Sequence, residues 1–228
     1  MKCLDLFSGT HSVAKVLKEQ GHDVITLDLQ GSDININILE WDYKAYPNDY
    51  FDYIHASPPC QYFSICRKSN YGRCLKLHNQ DKTKEPVVFT KALFHHDQKE
   101  LGLPLLEITL DIIAYFNPTY YTIENPSTGD MKHYMEGIPY TDVTYCKYGF
   151  PYKKPTRVWN NFNFDGYFCQ GDCKFLYNKV HIQQCGNTKC ARKVRHIQTI
   201  EGIKGGSNTK NERYRIPPKL IEHWIESF

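Results

Sequence analysis

The stretch ASPPCQYFS, residues 56 to 64, places one cysteine directly behind two prolines. Each proline fixes a φ angle and removes an N–H donor, so the chain reaches Cys60 along a defined path. A cysteine at such a position is a small core residue, a metal ligand or a nucleophile, and the thiolate is the nucleophilic form. This stretch alone leaves all three roles open.

The stretch YYTIENPS, residues 120 to 127, repeats this design with a carboxylate. Glu124 and Asn125 follow an apolar run and precede Pro126. A carboxyl group at this point could hydrogen-bond or protonate a heterocycle held against Cys60. An ordinary turn is the alternative, because Asn-Pro pairs are common where a chain turns.

The N-terminal stretch DLFSGTHS is typical of a turn between a strand and a helix. Such a turn lies at the carboxyl edge of an open α/β sheet, where the first N–H groups of the helix can bind a ligand. The residues that could form this site are Asp5, Phe7, Ser8 and Gly9. A plain tight turn would explain Gly9 equally well.

Two later acidic residues favour an adenosine-containing ligand at that turn. Asp28 ends the next apolar run, where an acidic residue commonly accepts hydrogen bonds from ribose hydroxyls. Asp42 follows the apolar residues near Trp41, where we expect a third strand, and it could bind an adenine amino group. A surface or capping role is the alternative for Asp28.

Four cysteines lie close together in a segment that lacks helical periodicity, residues 161 to 205. They form two closely spaced pairs: Cys169 and Cys173, and Cys185 and Cys190. Two thiolate pairs at such spacings suit a tetrahedral zinc ion that closes a loop too small to build its own core. We therefore predict zinc at these four cysteines, with unpaired thiols as the alternative, and a packing or loop role for Cys146.

The elements that must position these residues alternate along the chain. The predicted strands are residues 3–7, 23–29, 51–57, 119–125 and 142–150, and the predicted helices between them are 13–20 and 103–116. Strands joined by helices pair in parallel, so we predict an α/β fold with a doubly wound, mostly parallel sheet. Its carboxyl edge would bring the motifs together.

A chain of 228 residues fits one catalytic domain of ordinary size with a small insertion. We predict a catalytic domain over 1–160, a small cysteine-rich subdomain over 161–205, and a C-terminal segment over 206–228 that returns to the catalytic domain. No apolar window is long enough to span a membrane, and nine cysteines, an odd number, do not suggest a disulfide framework. We expect a soluble, intracellular, monomeric protein, cytoplasmic or nuclear.

Charge is distributed unevenly along the chain. Residues 1–146 contain 13 Lys and Arg against 19 Asp and Glu, whereas residues 147–228 contain 15 against 6. A cationic C-terminal third attracts polyanions because binding releases their counterions, so nucleic acid is the expected partner. A solvated lysine-rich surface is the alternative.

The ordered motifs resemble one family from near residue 3 to the end of the chain. DLFSG, two acidic residues, PPCQYFS, IENP, TRVW and IPPKLIEHWI follow one another as in the DNA (cytosine-5)-methyltransferases. The resemblance implies a Rossmann-like sheet that binds S-adenosylmethionine and methylates carbon 5 of a cytosine rotated out of duplex DNA. It also implies that Cys60 attacks ring carbon 6 and that Glu124 acts at ring nitrogen 3.

The resemblance assigns roles to further residues. Asn125 would help to position Glu124, and Arg157 in TRVW would orient Glu124 or contact the flipped nucleotide. The cofactor site would be lined by Asp5, Phe7, Ser8, Gly9, Asp28, Asp42 and Pro59. The basic segment 67–84 corresponds to a family loop that closes over DNA.

Three departures from the family pattern affect what can be expected. His11 and Ser12 stand where two glycines are usual, and Tyr214 replaces an asparagine, so the cofactor affinity is in question. Segment 161–205 is short for a target-recognition region, as in a small viral or phage-encoded member. Transfer RNA is the alternative substrate, and a catalytically weakened nucleic-acid-binding protein is the alternative function.

Overall fold

The computed structural model describes residues 1–75, 85–177, 180–181, 183–184 and 214–228. The strands are β1 Lys2–Leu6, β2 Asp23–Asp28, β3 Ile34–Asn35, β4 Tyr53–Ala56, β5 Cys74–Leu75, β6 Val87–Val88, β7 Tyr120–Pro126, β8 Tyr140–Thr144, β9 Tyr152–Lys153, β10 Pro155–Asn160, β11 Leu176–Tyr177, β12 Val180–His181 and β13 Gln183–Gln184. The α-helices are α1 Ser12–Glu19, α2 Ile65–Lys68, α3 Lys91–Asp97, α4 Leu103–Phe116 and α5 Pro218–Ile225. Short 3-10 helices cover Ile38–Glu40, Tyr43–Ala45, Cys60–Tyr62, Asp130–Tyr134 and Tyr145–Tyr148, and a π-helical turn covers Gln98–Gly102.

Seven strands form the central sheet in the order β3-β2-β1-β4-β7-β10-β8. All neighbours pair in parallel except β10, which is antiparallel to both β7 and β8. The predicted α/β fold with a doubly wound, mostly parallel sheet is therefore confirmed. Three short strand pairs, β5 with β6, β9 with β13 and β11 with β12, lie outside this sheet.

The helices cover both faces of the sheet because its strands are apolar on both sides. Leu4 and Ile54 belong to one buried cluster, and the preceding residues, Cys3 and Tyr53, belong to the other. Successive side chains of a strand point to opposite faces, so the two clusters are the two sides of the sheet. Helix α4 packs into the first cluster, while α1 and α5 pack into the second.

One strand prediction was wrong in detail, and one strand was not predicted. The strand expected over 142–150 is β8, which ends at Thr144, and residues Tyr145–Tyr148 form a 3-10 helix that Gly149 ends at φ 96°. The strand that was not predicted is β10, whose first residue is Pro155, a position in a strand where proline is tolerated. None of the helices in the described ranges is long and apolar enough to cross a membrane.

Candidate active site

One cavity of about 990 Å³ opens at the carboxyl edge of the central sheet. Its walls include eight of the residues predicted from the sequence: Asp5, Phe7, Ser8, Gly9, Asp28, Pro59, Cys60 and Glu124. The lining among the described residues does not include Asp42, Asn125 or Arg157.

The register of the parallel strands explains this convergence. Leu6 lies opposite both Leu27 and Ala56, and Ala56 lies opposite Ile123. The residue that follows each of these four therefore falls in a single row across the end of the sheet. That row consists of Phe7, Asp28, Ser57 and Glu124.

The backbone of the first turn is strained at the residues that are not glycine. Phe7, Gly9 and His11 have φ angles of 57°, 45° and 54°, in the left-handed region that glycine tolerates best. The Gly9 N–H donates to Oδ2 of Asp28 at 2.9 Å, and Nε2 of His11 lies 2.9 Å from the carbonyl oxygen of Gly31. His11 thus adopts a backbone conformation that usually favours glycine, and its ring ties this turn to the next one.

Asp5 lies beneath the first turn and is almost completely buried. Burial raises its pKa to about 7, although the Ala14 N–H donates to its Oδ2 at 3.2 Å and opposes this shift. The floor of the cavity next to the turn is therefore uncharged over much of the range below neutral pH.

Cys60 begins a 3-10 helix directly after the two prolines, and its thiol is partly exposed at the cavity wall. The approach to this helix is anchored by Asn125, whose Nδ2 donates to the carbonyl oxygen of Pro58 at 2.8 Å. Behind the helix, a Cβ atom at Gly102 would lie 2.7 Å from the Cβ of Tyr62, so only glycine fits there. Asn125, which follows Glu124 in the sequence, is thus also bonded to the loop that carries Cys60.

Glu124 has a hydrogen-bonding environment that the sequence did not reveal. The hydroxyl of Tyr145 donates to its Oε1 at 2.9 Å, and Nζ of Lys154 lies 3.5 Å from the same oxygen. Burial, followed by the charge of Glu124, raises the pKa of Tyr145 well above its ordinary value, so the phenol stays protonated and donates. Both side chains of the Lys154–Glu124 pair are largely buried.

A chain of hydroxyl and imidazole groups leads from Glu124 into the core. Oγ of Ser57 donates to Oε2 of Glu124 at 3.5 Å, and Nε2 of His55 lies 2.9 Å from that Oγ. On the other side of the ring, Nδ1 lies 2.8 Å from Oγ1 of Thr122. Burial lowers the pKa of His55 to about 3, and the ring stacks on Trp224 of α5. A neutral imidazole therefore supports Ser57 from behind.

Arg157 does not contact Glu124, contrary to one of the two roles expected for it. It lies opposite Asn125 in the pairing of β10 with β7, whereas the next residue, Val158, lies opposite Glu124. Adjacent side chains alternate between the faces of a sheet, so the guanidinium points away from the carboxylate. Arg157 instead makes two 2.8 Å hydrogen bonds to Asp142.

Asp42 is exposed and follows no strand, so its predicted position was wrong. The third strand, β3, is only two residues long, and the chain then enters the 3-10 helix Ile38–Glu40, capped by the side chain of Asn37. This helix brings Asn37 and three apolar neighbours to the cavity wall beyond Asp28: Ile36, Ile38 and Leu39. These four lining residues were not predicted because a strand was expected where the chain forms this 3-10 helix.

The basic segment after Cys60 forms internal ion pairs where the structure describes it. Arg67 contacts the carboxylate of Asp97, and Nζ of Lys68 lies 2.8 Å from Oδ1 of Asp130. These two cations are therefore neutralised within the protein. Lys76, Lys82 and Lys84, which were expected in the same loop, lie outside the described residues.

The cysteine cluster differs from the predicted one. Cys169 and Cys173 lie together as expected, but the third thiol beside them belongs to Cys146, for which a packing role was predicted. Strand β8 and the 3-10 helix after it bring Cys146 to this point from a distant part of the sequence. Cys185 and Cys190 lie outside the described residues.

Comparison with known proteins gives one relative along the whole chain. A Frog virus 3 (isolate Goorha) protein named probable DNA (cytosine-5)-methyltransferase is 38% identical over 234 residues, which cover 99% of each chain. A scan against protein-family models found no match.

Solved structures of two methyltransferases are also similar to this chain. Entamoeba histolytica EhMeth is 13% identical, with a TM-score of 0.48, over 80% of this chain and 61% of its own. The S. pombe Dnmt2 methyltransferase is 12% identical, with a TM-score of 0.41, over 78% of this chain and 56% of its own. The chain thus spans about three fifths of the length of these proteins.

The predicted resemblance is confirmed by the viral relative, because the alignment covers 99% of both chains. This chain belongs to the DNA (cytosine-5)-methyltransferase family.

Proposed function

We propose that this protein transfers a methyl group to carbon 5 of cytosine in DNA through a covalent bond to Cys60. The observation that supports this most directly is that Cys60 and Glu124 line the same cavity as the first turn and Asp28. A nucleophile, an acid and a candidate cofactor site thus open onto a common space.

The chemistry of cytosine explains why a thiol and an acid are needed together. A base within a stacked duplex is inaccessible, so the target must leave the helix to enter the cavity. The Cys60 thiolate forms a bond to ring carbon 6, and the electron pair of the 5,6 double bond moves to carbon 5. Glu124 protonates or hydrogen-bonds ring nitrogen 3, which prevents negative charge from accumulating on the ring.

Bound S-adenosylmethionine would supply the methyl group: as carbon 5 bonds to it, the sulfur–methyl bond would break and S-adenosylhomocysteine would leave. Loss of the carbon-5 proton to a base then restores the double bond and expels Cys60 as the thiolate. Tyr145 and Lys154 both approach Oε1 of Glu124 and hold the carboxyl group at the cavity wall throughout. Ser57 does the same at Oε2.

The dimensions and donors of the cavity suit the cofactor as well as the base. Ligand pockets have volumes of about 300–1,000 Å³, so this cavity is at the upper end of the range and can hold two ligands. The Gly9 N–H fixes the Asp28 carboxylate at the turn, where it can accept hydrogen bonds from ribose hydroxyls. Ile36, Ile38 and Leu39 provide an apolar wall for an adenine ring.

Methyl transfer from radiolabelled S-adenosylmethionine tests the substrate. We expect label in carbon 5 of cytosine in duplex DNA and none in transfer RNA. Label in transfer RNA alone would contradict the DNA assignment while leaving the chemistry intact. Binding of DNA without any methylation would support a catalytically weakened nucleic-acid-binding protein instead.

Substitution of Asp28 tests the cofactor site. We expect Asp28→Ala to weaken S-adenosylmethionine binding by about 10- to 100-fold, because hydrogen bonds to a charged group contribute about 1.5–3 kcal/mol. Isothermal titration calorimetry on the purified protein would measure the dissociation constant. Asp42→Ala is the matched control: this exposed carboxylate was also expected in the site, and the geometry predicts an unchanged affinity. A larger loss of S-adenosylmethionine affinity in Asp42→Ala than in Asp28→Ala would contradict the proposed role of Asp28 in the cofactor site.

A further inference from the structure

Three cysteines converge beside the end of β8. Their Sγ atoms all lie within 4.8 Å of one another. Cys146 and Cys169 are buried, and Cys173 is partly exposed. As far as the described residues go, none of the three lines the active-site cavity, so this cluster is separate from the proposed chemistry.

The spacing of the three sulfur atoms is close to that around a single metal ion. Zinc is usually bound tetrahedrally, with zinc–sulfur distances of about 2.3 Å, which places two thiolates about 3.8 Å apart. Thiols already within 4.8 Å of one another therefore need only a small adjustment to share an ion.

The turn after Cys169 is shaped to stabilise a thiolate. Gly171 has a φ of 92°, which glycine tolerates, and its N–H donates to Sγ of Cys169 at 3.4 Å. Such N–H donors favour the metal-binding form of a cysteine.

The surroundings also compensate the charge of a thiolate cluster. Three thiolates around a divalent cation leave one net negative charge. Nζ of Lys153 donates to the carbonyl oxygen of Cys169 at 2.9 Å, which places a cation beside the cluster. Lys147, next to Cys146, is already paired with Asp172 at 2.6 Å and adds no net charge.

We propose that Cys146, Cys169 and Cys173 bind a structural zinc ion. The ion would join the 3-10 helix after β8 to the segment that follows β10, two regions that already share hydrogen bonds. The Cys169 N–H donates to Oγ1 of Thr144 at 2.7 Å, and the Thr144 N–H donates to the carbonyl oxygen of Tyr167 at 3.1 Å. The basic C-terminal third would thereby be anchored to the central sheet at its start.

Metal analysis of the full chain tests this site independently of methyl transfer. We expect protein expressed in zinc-containing medium and purified without added metal to contain one zinc ion per molecule. Cys146→Ser should purify with clearly less than one zinc ion per molecule, since the loss of even an outer partner of a metal site costs about 10- to 100-fold in affinity. Inductively coupled plasma mass spectrometry gives the stoichiometry.

Cys3→Ser is the matched control for Cys146→Ser. Both thiols are buried, but Cys3 lies in β1 away from the cluster. The control should retain full zinc content. Wild-type protein without zinc, or Cys146→Ser with its zinc content unchanged, would overturn the proposal.

Alkylation of the native wild-type protein tests the zinc site without relying on the folding of any variant. Cys173 and Cys60 are both partly exposed, so their thiols should react at comparable rates unless a metal protects one of them. We expect mass spectrometry to show Cys173 protected, and at least tenfold faster modification of it after chelation, with Cys60 unaffected by the chelator. Equal reaction of Cys173 before and after chelation would refute zinc binding.

Discussion

Replacement of Cys60 by serine is expected to abolish methyl transfer and covalent trapping together. The change removes one polarisable sulfur atom and leaves the loop intact, because the Pro58 carbonyl remains bonded to Asn125. A serine hydroxyl ionises far less readily than a thiol, so it cannot supply the anion that attacks ring carbon 6. DNA binding should be retained, since the substitution alters no charged contact.

The measurement is an adduct with duplex DNA that contains 5-fluorocytosine, in the presence of S-adenosylmethionine. Fluorine at carbon 5 cannot leave as a proton does, so the enzyme stays attached to the base. Wild-type protein should form a denaturation-resistant complex, and Cys60→Ser should form none. Cys66→Ser is the control, because this exposed thiol lies a few residues further along and outside the cavity lining in the described chain. An adduct that persists in Cys60→Ser would assign the nucleophile to another residue.

The parts of the site that follow from parallel strands could be predicted from the sequence. A parallel sheet collects the carboxyl ends of its strands at one edge, so Asp28, Cys60 and Glu124 could be expected near one another from their positions after apolar runs. The register of the parallel strands then places the residues that follow Leu6, Leu27, Ala56 and Ile123 side by side at this edge. Local pattern and topology agree at these positions.

Contacts that depend on the antiparallel strand could not be predicted in the same way. Whether Arg157 faces Glu124 depends on a shift of one residue in the pairing of β10 with β7, and sequence pattern does not define this register. Lys154 precedes that strand and takes the place beside Glu124 that was expected of Arg157. Cys146 was missed for a related reason, because its partners in the cluster come from beyond β10.

Several neutral and charged groups hold Glu124 in place before any ligand binds. Tyr145 and Lys154 contact one carboxyl oxygen, and Ser57 contacts the other, with His55 behind it. Because burial lowers the pKa of His55 to about 3, this histidine does not compete for the proton that Glu124 would exchange with the base. The imidazole instead contacts Ser57, and acid catalysis remains the role that we propose for Glu124.

Glu124→Gln should therefore lower the rate of methyl transfer without preventing substrate binding. The amide keeps the size of the side chain and an oxygen that can accept from Tyr145, but it cannot donate an acidic proton to ring nitrogen 3. General acid catalysis contributes about 10²- to 10⁴-fold, and we expect a loss of that size in kcat with little change in KM for DNA. Single-turnover kinetics would isolate the chemical step.

Two further variants separate acid catalysis from positioning. Glu107→Gln changes an exposed glutamate on α4 and should leave the rate unchanged. Lys154→Met removes the cation beside Glu124 but keeps the carboxyl group and its bond from Tyr145, so its loss should be smaller than that of Glu124→Gln. If Glu124→Gln retained the full single-turnover rate, the carboxyl group would have no part in the chemical step. If Lys154→Met were the more damaged variant, the ammonium group itself would have to act on the base.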